Sequence, residues 1–160
     1  MTDMLVRLYD LPDMASAAAT AAAAGIRIKR PLALDTRRIL AAVAEHFGDA
    51  APGWVDECHA CLLRLPPTCF IAERDAIVLG FACYDATARG MFGPVGVAEP
   101  ARGTGIGRAL LLHCLHAMAA DGYAYGVIGW VHDTEYYRKA VGAMPIDGSE
   151  PGIYRRALGR

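Results

Sequence analysis

Residues 101–114 read ARGTGIGRALLLHC: three glycines at alternate positions, Gly103, Gly105 and Gly107, run straight into an apolar segment. Glycine inside regular structure costs roughly 0.5–1 kcal/mol relative to alanine, so this spacing marks a turn that something must approach closely. The residues beyond the turn recur at helical spacing. Gly107, Leu110, Leu111, Cys114, Leu115 and Met118 make one apolar stripe, with Arg108, Leu112 and His116 on the opposite face. Gly107 is thus expected on the buried stripe, where a missing side chain lets the helix approach a sheet. His113 and His116 fall off the stripe and read as ordinary, partly exposed histidines.

A strand, a glycine-rich turn and a helix N-terminus together form an anion site. The first helical turn leaves N–H groups unpaired, and the helix dipole places about half a positive charge there. Glycines let a phosphate reach those N–H groups, and Arg102 and Arg108 flank the turn. A plain strand-to-helix connection would need only one glycine, which favours the ligand reading. The P-loop pattern fails, because no Lys-Ser or Lys-Thr follows. The dinucleotide fingerprint G-x-G-x-x-G fails too: in GTGIG the third glycine arrives one residue early, and the turn lies late in the chain.

Upstream, MLVRLYDLP alternates as a short strand, and the alanine-rich run ASAAATAAAAG reads as a helix stopped by Gly25. GIRIKRPL is a second strand candidate. DTRRILAAVAEHFG follows as a helix with Asp35 as N-cap and Gly48 as C-cap, and a further helix covers GWVDECHACLLRL up to Pro66-Pro67. Then come three strands, TCFIAER, AIVLGFACYD and MFGPVGV, with turns at Asp75 and around Ala88–Gly90. After the glycine turn and its helix, YAYGVIGWV reads as a strand covered on both faces, TEYYRKAVG as a short helix and GIYRRAL as a closing strand. Helices, an antiparallel meander and a strand–helix–strand unit predict one mixed α/β domain spanning residues 1–160. Residues 1–24 read as an added strand and helix.

Composition bounds the function. A chain of 160 residues with 54% hydrophobic and 21% charged residues is long enough to bury a core without staples. A net charge of −1 offers no basic field, which argues against nucleic acid and anionic membranes as partners. The five cysteines, Cys58, Cys61, Cys69, Cys83 and Cys114, are odd in number and scattered, as in a reduced cytoplasmic protein. The C-x-x-C pair in ECHAC lacks the second pair that a structural zinc site usually has, so no metal is expected. No segment reaches membrane-spanning length, and the acidic start does not read as a signal peptide.

The turn contains R-x-x-G-x-G (Arg102, Gly103, Thr104, Gly105, Ile106, Gly107), with Val97 five residues before Arg102. This resembles the acetyl-coenzyme A signature of the GCN5-related N-acetyltransferases, the GNAT superfamily. EYYRKAVGA resembles that family's helix with an aromatic–tyrosine pair followed by Gly-Ala. The resemblance covers about residues 68–158 and extends back to Gly25.

It implies a central mixed, mostly antiparallel sheet with splayed central strands and flanking helices. It implies acetyl-CoA as co-substrate, with Val97 bonding the pantetheine arm and the N–H groups of Gly103, Thr104, Gly105, Ile106, Gly107 and Arg108 cradling the pyrophosphate. The Val95 N–H would meet the thioester oxygen, and Tyr137 would protonate the departing thiolate. A phenol of pKa near 10 is suitably protonated at neutral pH. Tyr136 is expected to be a packing aromatic. The implied reaction is acetyl transfer to a primary amine of a small molecule, in a cytoplasmic protein with a homodimer allowed.

Two positions depart from the family pattern. Met91 and Phe92 stand where many relatives carry a carboxylate base, leaving Asp85 and Glu57 as candidates. Trp130 stands where an asparagine often precedes the tyrosine, and an indole there could pack on the pantetheine arm. Trp54, Glu57, Tyr84 and Tyr154 are candidates for an acceptor cleft. The competing readings are a non-catalytic acyl-CoA-binding module and a nucleotide-binding protein.

Overall fold

The computed structural model describes residues 1–158. Seven strands form one sheet: β1 (Thr2–Arg7), β2 (Arg27–Lys29), β3 (Cys69–Arg74), β4 (Ile77–Tyr84), β5 (Met91–Val97), β6 (Tyr125–Val131) and β7 (Met144–Pro145). Their order is β2-β3-β4-β5-β6-β1-β7, antiparallel throughout except for β5 beside β6. Five helices flank it: α1 (Ala15–Ala23), α2 (Thr36–Phe47), α3 (Gly53–Leu62), α4 (Ile106–Ala120) and α5 (Thr134–Val141).

The helices divide between two apolar clusters. On one, α2 and α3 cover β3 and β4 through Ile39, Val43, Phe47, Cys58, Cys61, Leu62, Ile71 and Phe81. On the other, α4 lies across the sheet with α1 and α5 against it. The small side chains of Ala17 and Ala21 let α1 pack closely on α4. That cover buries Leu112, expected on an outward face, so α4 is enclosed on nearly all sides. His113 and His116 stay half-buried, bonded to the carbonyls of Ala109 and Pro12.

The strand expected near the N-terminus forms, but it is internal: β1 lies between β6 and β7 and pairs with both. GIYRRAL is not a strand. Gly152–Arg156 wind into a 3-10 helix, and the edge pairing falls to Met144 and Pro145, where a proline without an N–H cuts the strand short. Asp35 precedes α2 but its side chain makes no capping bond, whereas Asp133 caps α5 by accepting from the Tyr136 N–H at 2.9 Å.

Candidate active site

The two central strands part abruptly. Parallel pairing of β5 with β6 is confined to Met91↔Val127 and Phe92↔Ile128. Each strand bulges just beyond its last paired residue. In β5, Gly93 and Pro94 oppose the single residue Cys83 of β4, with Gly93 at φ +120°. In β6, Gly129 and Trp130 oppose Asp3 of β1, with Trp130 at φ +54°. The Asp3 carboxylate accepts from the Trp130 backbone N–H at 2.9 Å and holds this second bulge.

Past the bulge, pairing with β4 sets which way the β5 backbone faces. The Ala98 N–H donates to the Leu79 carbonyl, which makes Gly80↔Val97 and Ala82↔Val95 the non-hydrogen-bonded positions. The backbone N–H and C=O groups of Val95 and Val97 therefore point toward the parted side, where β6 no longer pairs. Arg102 reaches back to donate from Nε to the Val97 carbonyl at 3.3 Å.

A cleft of about 230 Å³ opens here, lined by Phe92, Val95, Gly96 and Val97 of β5, Gly107 and Leu111 of α4, and Tyr136 and Tyr137 of α5. Its lining is mostly apolar. Gly96 is needed for packing: a Cβ there would lie 2.7 Å from the Phe47 ring of α2. Gly107 does not meet the expectation of a buried packing glycine. It faces the cleft, where an added Cβ would contact only Val97 Cγ2 at 3.7 Å and Tyr136 Oη at 3.9 Å.

Ahead of Gly107 in the chain, Gly103 and Gly105 adopt φ of +78° and +83°, left-handed conformations that admit glycine readily. Gly105 precedes α4 without a side-chain cap, so the first N–H groups of the helix remain available. Thr104 Oγ1 donates to the Ala101 carbonyl at 2.6 Å and pins the turn. From behind, α1 supports it, with Thr20 Cγ2 3.0 Å from the position of a Cβ on Gly105.

Tyr137 is half-buried, edge-on to Tyr136 at 5.0 Å between ring centres. Burial, with Tyr136 and the Asp133 carboxylate beside it, pushes its hydroxyl pKa up to about 12. Tyr136, expected only to pack, also lines the cleft, and its pKa is raised mainly by burial. Asp85 and Glu57 lie elsewhere. Asp85 closes the β4–β5 turn, accepting from the Gly90 N–H at 2.6 Å and Tyr123 Oη at 2.9 Å. Glu57 accepts from Thr87 Oγ1 at 2.5 Å.

Several residues considered for an acceptor cleft are also engaged. Tyr84 is fully buried, donating to Asp121 at 2.8 Å, and Trp54 packs on Phe47 and Phe81. Trp130 stacks on Tyr154, 4.8 Å between centres and 24° from parallel, rather than lining the cleft with Tyr137. Tyr154 lies against Gly129, its Oη 2.5 Å from where a Cβ would stand. Phe92, Leu111 and Gly96 were legible only as core or strand residues. Their apolar periodicity carries no sign of the cleft.

No curated protein matches the sequence. Among solved structures, the fold is similar to a GCN5-related glucosamine N-acetyltransferase region of a fungal multi-domain GH3 β-N-acetylglucosaminidase, with TM-score 0.72, 18% identity, and 91% of this chain and 19% of that one covered. It is similar to a GCN5-related N-acetyltransferase from Sphaerobacter thermophilus, with TM-score 0.66, 23% identity, and 91% and 48% covered. It is also similar to a GNAT family acetyltransferase from Brucella melitensis in complex with acetyl-CoA, with TM-score 0.57, 23% identity, and 76% and 86% covered. The chain spans less than half the length of the first two. Among the described residues, no helix is long and apolar enough to cross a membrane. The Acetyltransferase (GNAT) family model matches residues 36–143, two thirds of the chain and both halves of the cleft, and the chain belongs to that family.

Proposed function

We propose that the chain is an N-acetyltransferase that moves the acetyl group of acetyl-CoA to a small primary amine by direct attack on the thioester. One observation carries this reading. The backbone groups of Val95 and Val97, freed by the parting of β5 and β6, share a cleft with Gly107 of the glycine turn and with Tyr137.

The residues fit the co-substrate. Two left-handed glycines and an uncapped helix start can take the pyrophosphate, with the N–H groups of Gly103–Arg108 as donors and Arg102 alongside. The cleft volume accommodates the pantetheine arm, with Val97 as its backbone partner, while the adenosine end stays outside. The thioester supplies an activated acyl carbon when bound. The Val95 N–H stabilises the negative charge that develops on its oxygen. Tyr137 holds the proton that the leaving sulfur needs, and its raised pKa keeps that proton in place across the working range.

Among the described residues no carboxylate lines the cleft: Asp85 holds the β4–β5 turn, and Glu57 on α3 accepts from Thr87 of that turn. Proton removal from the amine therefore falls to solvent, and the reacting amine is the neutral form. The test is coenzyme A release against a panel of small amines, with wild type and Tyr137→Phe. Turnover in wild type, lost in the variant while acetyl-CoA still binds, supports the reading. Tight acetyl-CoA binding with no turnover for any amine contradicts it and favours a sensing module.

A further inference from the structure

Away from the cleft, four of the five cysteines meet in the core between α3 and the sheet. Cys58 and Cys61 lie one helical turn apart on α3, and Cys69 and Cys83 are direct cross-strand partners on β3 and β4. All four are inaccessible to solvent. The sulfurs of Cys58, Cys69 and Cys83 lie within 4.8 Å of one another. Cys61 Sγ donates to the carbonyl of Tyr84, the residue after Cys83, at 3.5 Å, which places it beside the group. The second pair that the sequence lacked is thus supplied by the fold.

We propose that Cys58, Cys69 and Cys83, with Cys61 as fourth ligand, form a site for a divalent thiophilic d10 ion of the Zn(II) class. A zinc–sulfur bond of about 2.3 Å puts sulfurs of a tetrahedral site about 3.8 Å apart, so the three sulfurs within 4.8 Å close with shifts of about 1 Å. Cys61 would leave the Tyr84 carbonyl to complete the set. Four soft donors and no oxygen or imidazole select such an ion over Mg(II) or Ca(II). Charge favours a divalent ion in this dry core. With four thiolates it leaves two net negative charges, whereas a monovalent ion leaves three.

A second observation points the same way. Thr68 Oγ1 is buried without a hydrogen-bond partner among the described residues, and the Thr68 N–H donates to the Cys61 carbonyl at 3.2 Å, which holds this residue beside Cys61. A ligating thiolate would give that hydroxyl an acceptor, the kind of outer contact that orients metal ligands. Arg64, three residues beyond Cys61, carries a permanent positive charge that favours negative charge on it. On ligation each thiol gives its proton to solvent and its sulfur lone pair to the ion, with no change of oxidation state.

The experiment refolds the reduced, chelator-treated chain with Cd(II), because the folded site is closed to solvent. The bound ion is then counted by elemental analysis after gel filtration, and the thiolate-to-cadmium absorption is recorded. The expected result is one Cd(II) per folded chain, the thiolate band present, displacement by refolding in excess Zn(II), and a raised melting temperature. Cys69→Ala/Cys83→Ala should lose the ion, while Cys114→Ala, in the other apolar cluster, should keep it. Folded wild type carrying no ion overturns the proposal without reference to any variant. So does equal loading of wild type and a double variant shown to be folded by circular dichroism.

Discussion

The backbone N–H of Trp130 donates to the Asp3 carboxylate at 2.9 Å, tying the second residue of an internal β6 bulge to a strand 127 positions earlier. The bond holds a non-glycine residue at φ +54°, a conformation that needs outside support. Without it, β6 could straighten and resume pairing with β5, closing the gap that the cleft requires. The N-terminal strand therefore helps to shape the site from one side, while α1 supports the glycine turn from the other.

Asp3→Ala should destabilise the fold by about 2 kcal/mol, since it strips a charged acceptor from a partly buried N–H. For a chain of this size that lowers the melting temperature by about 4–8 °C. Acetyl-CoA affinity should fall with it, while Asp3→Asn, which keeps an acceptor oxygen, should retain most of both. Thermal melts of the two variants with and without coenzyme check this.

Gly107→Ala separates packing from binding. If the residue served helix–sheet contact, a methyl group would destabilise the protein. Because it faces open cleft, alanine should leave the melting temperature equal or raise it by the helix preference of about 1 kcal/mol. The same methyl should weaken acetyl-CoA binding. Calorimetric titration beside a thermal melt reads both effects.

Gly96→Ala should do the reverse. Its Cβ would stand 2.7 Å from the Phe47 ring, which is itself wedged against Trp54 and Phe81, so a loss of about 1–3 kcal/mol is expected. Adding Phe47→Leu should recover part of that loss, and denaturant unfolding of the single and double variants measures it.

Tyr137→Phe should reduce kcat by roughly 10²–10⁴ with coenzyme affinity unchanged. The phenol pKa lies above its ordinary value of 10, so the neutral acid is present below 10 and lost only as pH rises through about 12. The pH–rate profile should therefore climb as the amine substrate loses its proton and show no falling limb below about pH 10. A profile whose rise stays at one pH for amines of different basicity would point to an enzymic base instead.

Much of this was legible in the sequence because local chemistry wrote it there. The left-handed glycines 103 and 105 sit where GTGIG called for close approach, and the apolar spacing after Ile106 became α4. Val95, Val97, Gly107 and Tyr137 line one cleft. What stayed hidden depended on partners distant in the chain. Nothing near Trp130 announces a bulge, because Asp3 stabilises it across the sheet. Leu112 looked outward until α1 covered it, and Gly107 looked like a packing glycine because a helical stripe does not tell core from cleft. GIYRRAL has strand-like composition, yet Gly152 at φ +62° and the stacking of Tyr154 on Trp130 belong to a 3-10 helix.

The most direct measurement is the melting temperature of the purified chain with and without acetyl-CoA, beside Gly105→Glu. A ligand at one hundred times its Kd stabilises by about 2.7 kcal/mol, a rise of about 5–11 °C at this size. A rise of that order in wild type, absent in a folded Gly105→Glu, is the result expected if coenzyme occupies the glycine turn. No shift at millimolar acetyl-CoA would contradict the account and leave the turn as a connection between strand and helix.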